Sequence, residues 1–165
     1  MRTDEDGGGA KQRAGALTCK SDEAFDAIRA ARKKADVLIV FPHWGVEYTR
    51  SRKDYQERLA ARWEKLGVDM VVGAHSHIPG GIGEIDGMPV FYSMGNFIFD
   101  QSWSTATMEG MLAEMTFEGD RLAQIRIHPF LTHDQAQPNL LDPARNDGKA
   151  LMDEVRKASK KISDW

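Results

Sequence analysis

Three of the five histidines, His43, His75 and His77, stand just past the two most apolar stretches of the chain, residues 35–41 and 68–73. Both stretches are continuous β-branched runs. Such runs read as strands covered on both faces, the habit of parallel sheets. Parallel strands point the same way, so their C-terminal ends share one edge, where open α/β sheets bind ligands. Neighbouring strands lie about 4.8 Å apart, so imidazoles from the two loops beyond them can converge on one or two ions. Neutral imidazole is the commonest metal ligand, and the constellation therefore predicts metal ligation by His43, His75 and His77. In a straight strand His75 and His77 would face the same side. A turn between them would let each reach a different ion of a close pair. His128 alternates with Ile125 and Ile127 and reads as structural, and His133 reads as a loop residue.

Periodicity gives the elements that must hold these residues. Ser21 can cap a helix running to about Lys34, with Phe25, Ile28 and Ala31 on one face. A second helix is expected over about 51–66, with Tyr55, Leu59, Trp63 and Leu66 as its buried stripe and Gly67 as its stop. With the two flanking strands it makes a βαβ unit. The next half is richer in β-structure. Residues 88–93 form a third strand, entered from a turn at Asp86-Gly87. Residues 111–117 and 122–130 flank Glu118-Gly119-Asp120 as a hairpin. A last helix over about 149–162 turns Leu151, Val155, Ala158 and Ile162 inward. Residues 1–20, charged and glycine-rich, read as a disordered tail, and residues 21–165 as the folded portion.

Bulk properties narrow the function classes. A chain of 165 residues with 41% apolar content can bury one core. Its net charge of −3, with both signs interspersed, excludes an electrostatic nucleic-acid binder. Cys19 is the only cysteine, which excludes an internal disulfide and a cysteine metal cage. The longest apolar run, residues 37–41, is far short of the ~20 residues of a membrane-spanning helix. The N-terminus has no apolar core of the signal-peptide kind. Both the cytoplasm and the cell envelope stay open as compartments.

Three motifs carry a resemblance. His43-Trp44-Gly45-Val46-Glu47-Tyr48, then Gly73-Ala74-His75-Ser76-His77, then Tyr92-Ser93-Met94-Gly95-Asn96-Phe97-Ile98-Phe99-Asp100-Gln101 closely resemble consecutive signatures of the CapA family. These are poly-γ-glutamate capsule synthesis proteins related to calcineurin-like metallophosphatases. The resemblance implies a partial four-layer α/β/β/α sandwich with a dinuclear metal site at one edge. It implies that His43, His75 and His77 are ligands and that Asn96 is a site residue, while Glu47, four residues after His43, can orient a ligand histidine or contact substrate as carboxylates beside metal ligands do. Glu47 also reads as an exposed helix-start acid, and Asn96 as a turn residue.

The family's N-terminal Gly-Asp motif, further acidic residue and Asn-His pair are not found ahead of Asp22, and Phe97 cannot replace an imidazole. The expectation is the C-terminal half of a longer protein that holds at most one divalent ion tightly and is weakly active alone, with Mn, Fe or Zn all suited to the donors. A pair of ions about 3.5–4 Å apart would need a bridging carboxylate as well. The implied activity is a metal-dependent phosphoesterase or hydrolase of capsule or cell-envelope polymer biosynthesis, acting on a small-molecule or polymer substrate. The alternatives are a non-catalytic component of a polymer synthesis or export complex, or a half-protein complemented by a separate N-terminal chain. A homo-oligomer is a further possible assembly.

Overall fold

The computed structural model describes residues 15–159. Most of the expected tail, residues 1–14, lies outside them, as does Ile162 of the last helix. Within the described part, Cys19 is fully buried in the core just ahead of the first helix.

Ser21 accepts a hydrogen bond from the Ala24 amide and caps α1 (Asp22–Arg32). Asp22 and Glu23 in its first turn and Arg29 and Arg32 in its last complement the helix dipole. A parallel pair, β1 (Ile39–Val40) and β2 (Met70–Val72), encloses α2 (Asp54–Glu64). Next come the hairpin strands β3 (Ile82–Ile85) and β4 (Met88–Phe91), the short helix α3 (Thr105–Met108), and β5 (Glu109–Glu118). The strands β6 (Arg121–His133) and β7 (Gln137–Leu140) and the helix α4 (Asn146–Ala158) complete the described chain. One sheet has the order β1-β2-β4-β3, parallel except for β3; the other is the antiparallel meander β5-β6-β7.

Period-two alternation divides the core. Val40, Val71 and Val90 face the helical layer of Phe25, Ile28, Leu59, Ala60 and Trp63. Met70, Val72 and Phe91 point the other way and meet Met111 of β5 with Leu151 and Val155 of α4. The outer face of the β5–β6 hairpin, with Leu112, Glu114 and Arg126, is exposed. Among the described residues the layers are therefore α/β/β, a partial form of the expected four-layer sandwich.

Several elements differ from expectation. The strand expected over 35–41 shrinks to two residues. Side chains take the preceding backbone groups: the Asp69 carboxylate accepts the Leu38 N–H at 2.7 Å, and the Arg32 guanidinium donates to the Asp36 carbonyl at 2.7 Å. Nor is the strand covered on both faces. It is the sheet edge, and Ile39 and Phe41 are 40% and 61% exposed. The stripe of α2 is rotated, with Gln56, Leu59, Ala60 and Trp63 buried. Tyr55 is half-buried, and its hydroxyl oxygen accepts the Gly45 N–H at 2.6 Å. Strand β3 has no counterpart among the expected elements; it pairs Ile85 with Met88 across a two-residue turn in which Asp86 and Gly87 both have positive φ. Strand β7 is likewise additional, and its Pro138 sits on a sheet edge, where a missing donor is tolerated.

Candidate functional site

The parallel pairing of β1 and β2 continues past both strands. His43 bridges to Ala74, the Trp44 N–H donates to the Ala74 carbonyl, and the Ala74 N–H donates to the Pro42 carbonyl, both at 2.9 Å. This register brings His43 beside His75. Trp44 anchors the crossing point: it is 1% exposed, stacks between Trp63 and Tyr92, and donates its indole N–H to the Tyr92 carbonyl at 3.0 Å. Only glycine fits at position 73, where a Cβ would lie 2.4 Å from both Trp44 Nε1 and the Tyr92 carbonyl. Burial, then the nearby Glu57 charge, push the Tyr92 phenol up to about 12, against a smaller downward pull from Arg52, so it stays protonated.

Beyond Ala74 the chain turns sharply. His75 has φ 113° and His77 φ 61°, and Tyr48, whose N–H donates to the Ser76 carbonyl at 2.8 Å, has φ 56°. Non-glycine residues in such regions cost about 1–3 kcal/mol each and persist only where the surroundings over-determine them. The buried Ser76 hydroxyl helps, donating to the Ile78 carbonyl at 2.8 Å. The two imidazole planes are tilted by 51°, with ring centroids 6.3 Å apart.

His43 Nε2 and His75 Nδ1 are 2.9 Å apart. Two adjacent donors on one ion with bonds of about 2.0–2.1 Å stand about 2.9–3.4 Å from each other, so this pair fits a shared divalent ion. Without an ion the same contact is an N–H···N hydrogen bond. His77 stands apart from the pair. Its Nδ1 is 2.9 Å from Asn96 Oδ1, and its Nε2 is 3.9 Å from the half-exposed Glu47 carboxylate. Tyr48 and Phe99 flank its ring at 5.9 and 5.5 Å. Among the described residues no three His, Cys, Asp or Glu side chains converge as a metal-holding group. The structure thus brings His43 and His75 together, and His77, Glu47 and Asn96 together, as two adjoining clusters.

Asn96 is aimed by its neighbours. Gly95, at φ 78°, has no room for a Cβ, which would lie 2.7 Å from the Glu109 carbonyl. Two residues that sequence reasoning misses also shape the site. Arg50 reads from sequence as part of a solvated helix start. Instead it donates to the Pro79 carbonyl and to the Glu109 carboxylate, both at 2.7 Å, tying the histidine turn to the strand beside Gly95. Its partners lie 29 and 59 residues away, so no local signal marks the pair. Trp103 is exposed and meets Tyr48 edge-on at 6.4 Å. A larger cleft of about 460 Å³, lined by Val37, Met70, Pro89, Leu122 and Ile125, lies at the opposite, strand-start end of the sheet and contains no histidine.

The PGA biosynthesis protein CapA of Bacillus subtilis is 32% identical over 152 residues, which cover 90% of this chain and 39% of that protein. The capsule biosynthesis protein CapA of Bacillus anthracis is 33% identical over 124 residues, 73% of this chain and 30% of that protein. The aligned regions thus span about a third of the relatives' length. The family model for the bacterial capsule synthesis protein PGA_cap matches residues 2–101, more than half of the chain and all three motifs. The chain therefore belongs to the PGA_cap family of bacterial capsule synthesis proteins.

Proposed function

We propose that this chain serves bacterial capsule or poly-γ-glutamate synthesis, and that His43, His75 and His77 are the nitrogen-donor part of a phosphoesterase-type metal centre. The observation that carries the reading is the 2.9 Å approach of His43 Nε2 to His75 Nδ1 at the C-terminal edge of a parallel sheet. Divalent ions at such a centre polarise a phosphoryl oxygen and lower the pKa of bound water. His43 and His75 would hold one ion, which can be Mn, Fe or Zn. His77 and Glu47 flank a second position, while Tyr48, Phe99 and Trp103 wall the approach to it. The carboxylates that a close ion pair needs would come from an N-terminal segment in the same protein or in trans. The open edge of β1, with Ile39 and Phe41 exposed, is the surface that such a segment would cover.

Elemental analysis and hydrolysis of a generic phosphodiester with added Mn²⁺ test this reading. The chain alone should hold one ion tightly and turn over weakly. Two tight ions with robust turnover would overturn the half-centre, and a folded chain that binds none would overturn the metal reading.

A non-catalytic assembly role is the second reading, supported by the exposed apolar run of Phe97, Ile98 and Phe99 beside Trp103. His75→Ala separates the two. Loss of hydrolysis with the fold kept favours the enzyme, whereas loss of partner binding with no hydrolysis to lose favours assembly.

A further inference from the structure

Asn96 is held by more than His77. Its Nδ2 donates to the Thr107 carbonyl at 3.0 Å and to Gln101 Oε1 at 3.2 Å. A backbone carbonyl can only accept, so the amide nitrogen must face Thr107, and Oδ1 must face the His77 ring. Thr107 is itself fixed. It is 2% exposed, its hydroxyl is 2.8 Å from the Gln101 carbonyl, and its N–H donates to Ser104 Oγ at 3.2 Å. The loop from Asn96 to Thr107 therefore presents one acceptor to His77 Nδ1 and no donor.

We infer that Asn96 is a positioning residue that locks neutral His77 in the Nδ1–H tautomer, leaving the Nε2 lone pair open toward Glu47 for a divalent cation. An imidazole whose second nitrogen donates to a fixed acceptor has its tautomer and ring direction set together. The stacked ring of Tyr48 and the tilted ring of Phe99 restrict ring rotation as well. Ligation by Nε2 rests on the metal reading above; the tautomer does not.

The test is the long-range ¹H–¹⁵N spectrum of the histidine rings in the full, metal-free chain at alkaline pH, and then a titration with Zn²⁺. The wild-type His77 should show a protonated Nδ1 and a bare Nε2. Asn96→Ala should release it to a mixture, with His43 and His75 unmoved. Gln101→Glu, which can only accept from Asn96, should keep the lock. The Zn²⁺ concentration that shifts His77 Nε2 should rise about 10–100-fold in Asn96→Ala. A wild-type His77 carrying its proton on Nε2 overturns the lock whatever the chain binds, so the proposal stays testable if the variant folds poorly. A locked tautomer without Zn²⁺ binding supports the lock and refutes the metal reading.

Discussion

Removing the Arg50 guanidinium, as in Arg50→Met, should destabilise the fold and loosen the candidate site together. Arg50 and Glu109 are only 18% and 16% exposed, and their contact is 2.7 Å. Breaking a buried pair from one side costs about 3–5 kcal/mol, whereas an exposed pair contributes at most about 1 kcal/mol. At this residual exposure we expect about 2–4 kcal/mol, which includes the Pro79 carbonyl left without its donor. With a urea m-value of about 1–3 kcal/mol/M, the midpoint should fall by about 0.7 M or more at unchanged slope. Glu109→Gln added to Arg50→Met should recover part of the loss, because the stranded carboxylate is then gone. The same variant should broaden or shift the His77 ring resonances, since the clip joins the His77 turn to the strand that faces Gly95. A stability unchanged within about 0.5 kcal/mol would mean that the pair behaves as a surface contact and that the clip is not what aligns the two loops.

Gly95→Ala should cost at least about 1–2 kcal/mol in thermal or urea unfolding, because φ 78° is left-handed and the new methyl would meet the Glu109 carbonyl and Pro79; a neutral result would refute the turn geometry that aims Asn96. Trp44→Phe should destabilise by about 1 kcal/mol more than Trp63→Phe, since Trp44 Nε1 is bonded to the Tyr92 carbonyl whereas Trp63 Nε1 is buried without a partner among the described residues, and equal midpoints would contradict that assignment. Glu114 is held below the ordinary carboxylate range, first by its hydrogen bond to His128 and then by the Arg126 charge. A depressed folded-state pKa contributes stability above the unfolded pKa that is lost as pH falls through the folded one, so His128→Ala should raise the Glu114 titration midpoint by carboxyl NMR and reduce that acid-side loss.

The parts of the site that are legible in the sequence are those set by chain direction. Apolar runs ending at His43 and at Ala74 imply parallel strands, and parallel strands bring the loops at their C-terminal ends to one edge. The distance between His75 and His77 requires a turn, and the chain makes one. The illegible parts are set by partners distant in sequence. The strand before His43 is short because Asp69, 31 residues away, accepts the Leu38 N–H, while Arg32, itself paired with Asp69 across 37 residues, takes the Asp36 carbonyl. The rotation of α2 comes from Gln56, whose side chain accepts the Lys53 N–H and so turns inward, a polar residue that an apolar stripe omits. Trp44 reads from sequence as packing between loop and helix, and its burial between Trp63 and Tyr92 is what fixes the crossing point of the two strand ends.

That packing bears on why a strained turn survives. Tyr48, His75 and His77 all hold positive φ within one small region. Such strain persists where the surroundings leave no alternative, and here the strand ends that lead into the turn rest on two stacked indoles, each exposed by 1% or less. At about 25 cal/mol per Å² over the 150–250 Å² that an aromatic residue buries, each contributes about 4–6 kcal/mol, the same order as the summed strain. The core under the sheet edge thus holds the histidines in directions that the local chain would not choose. The strained turn stands between one cluster of two ring nitrogens and a second of His77, Glu47 and Asn96, and under the proposed function these would be the donors to two neighbouring ion positions.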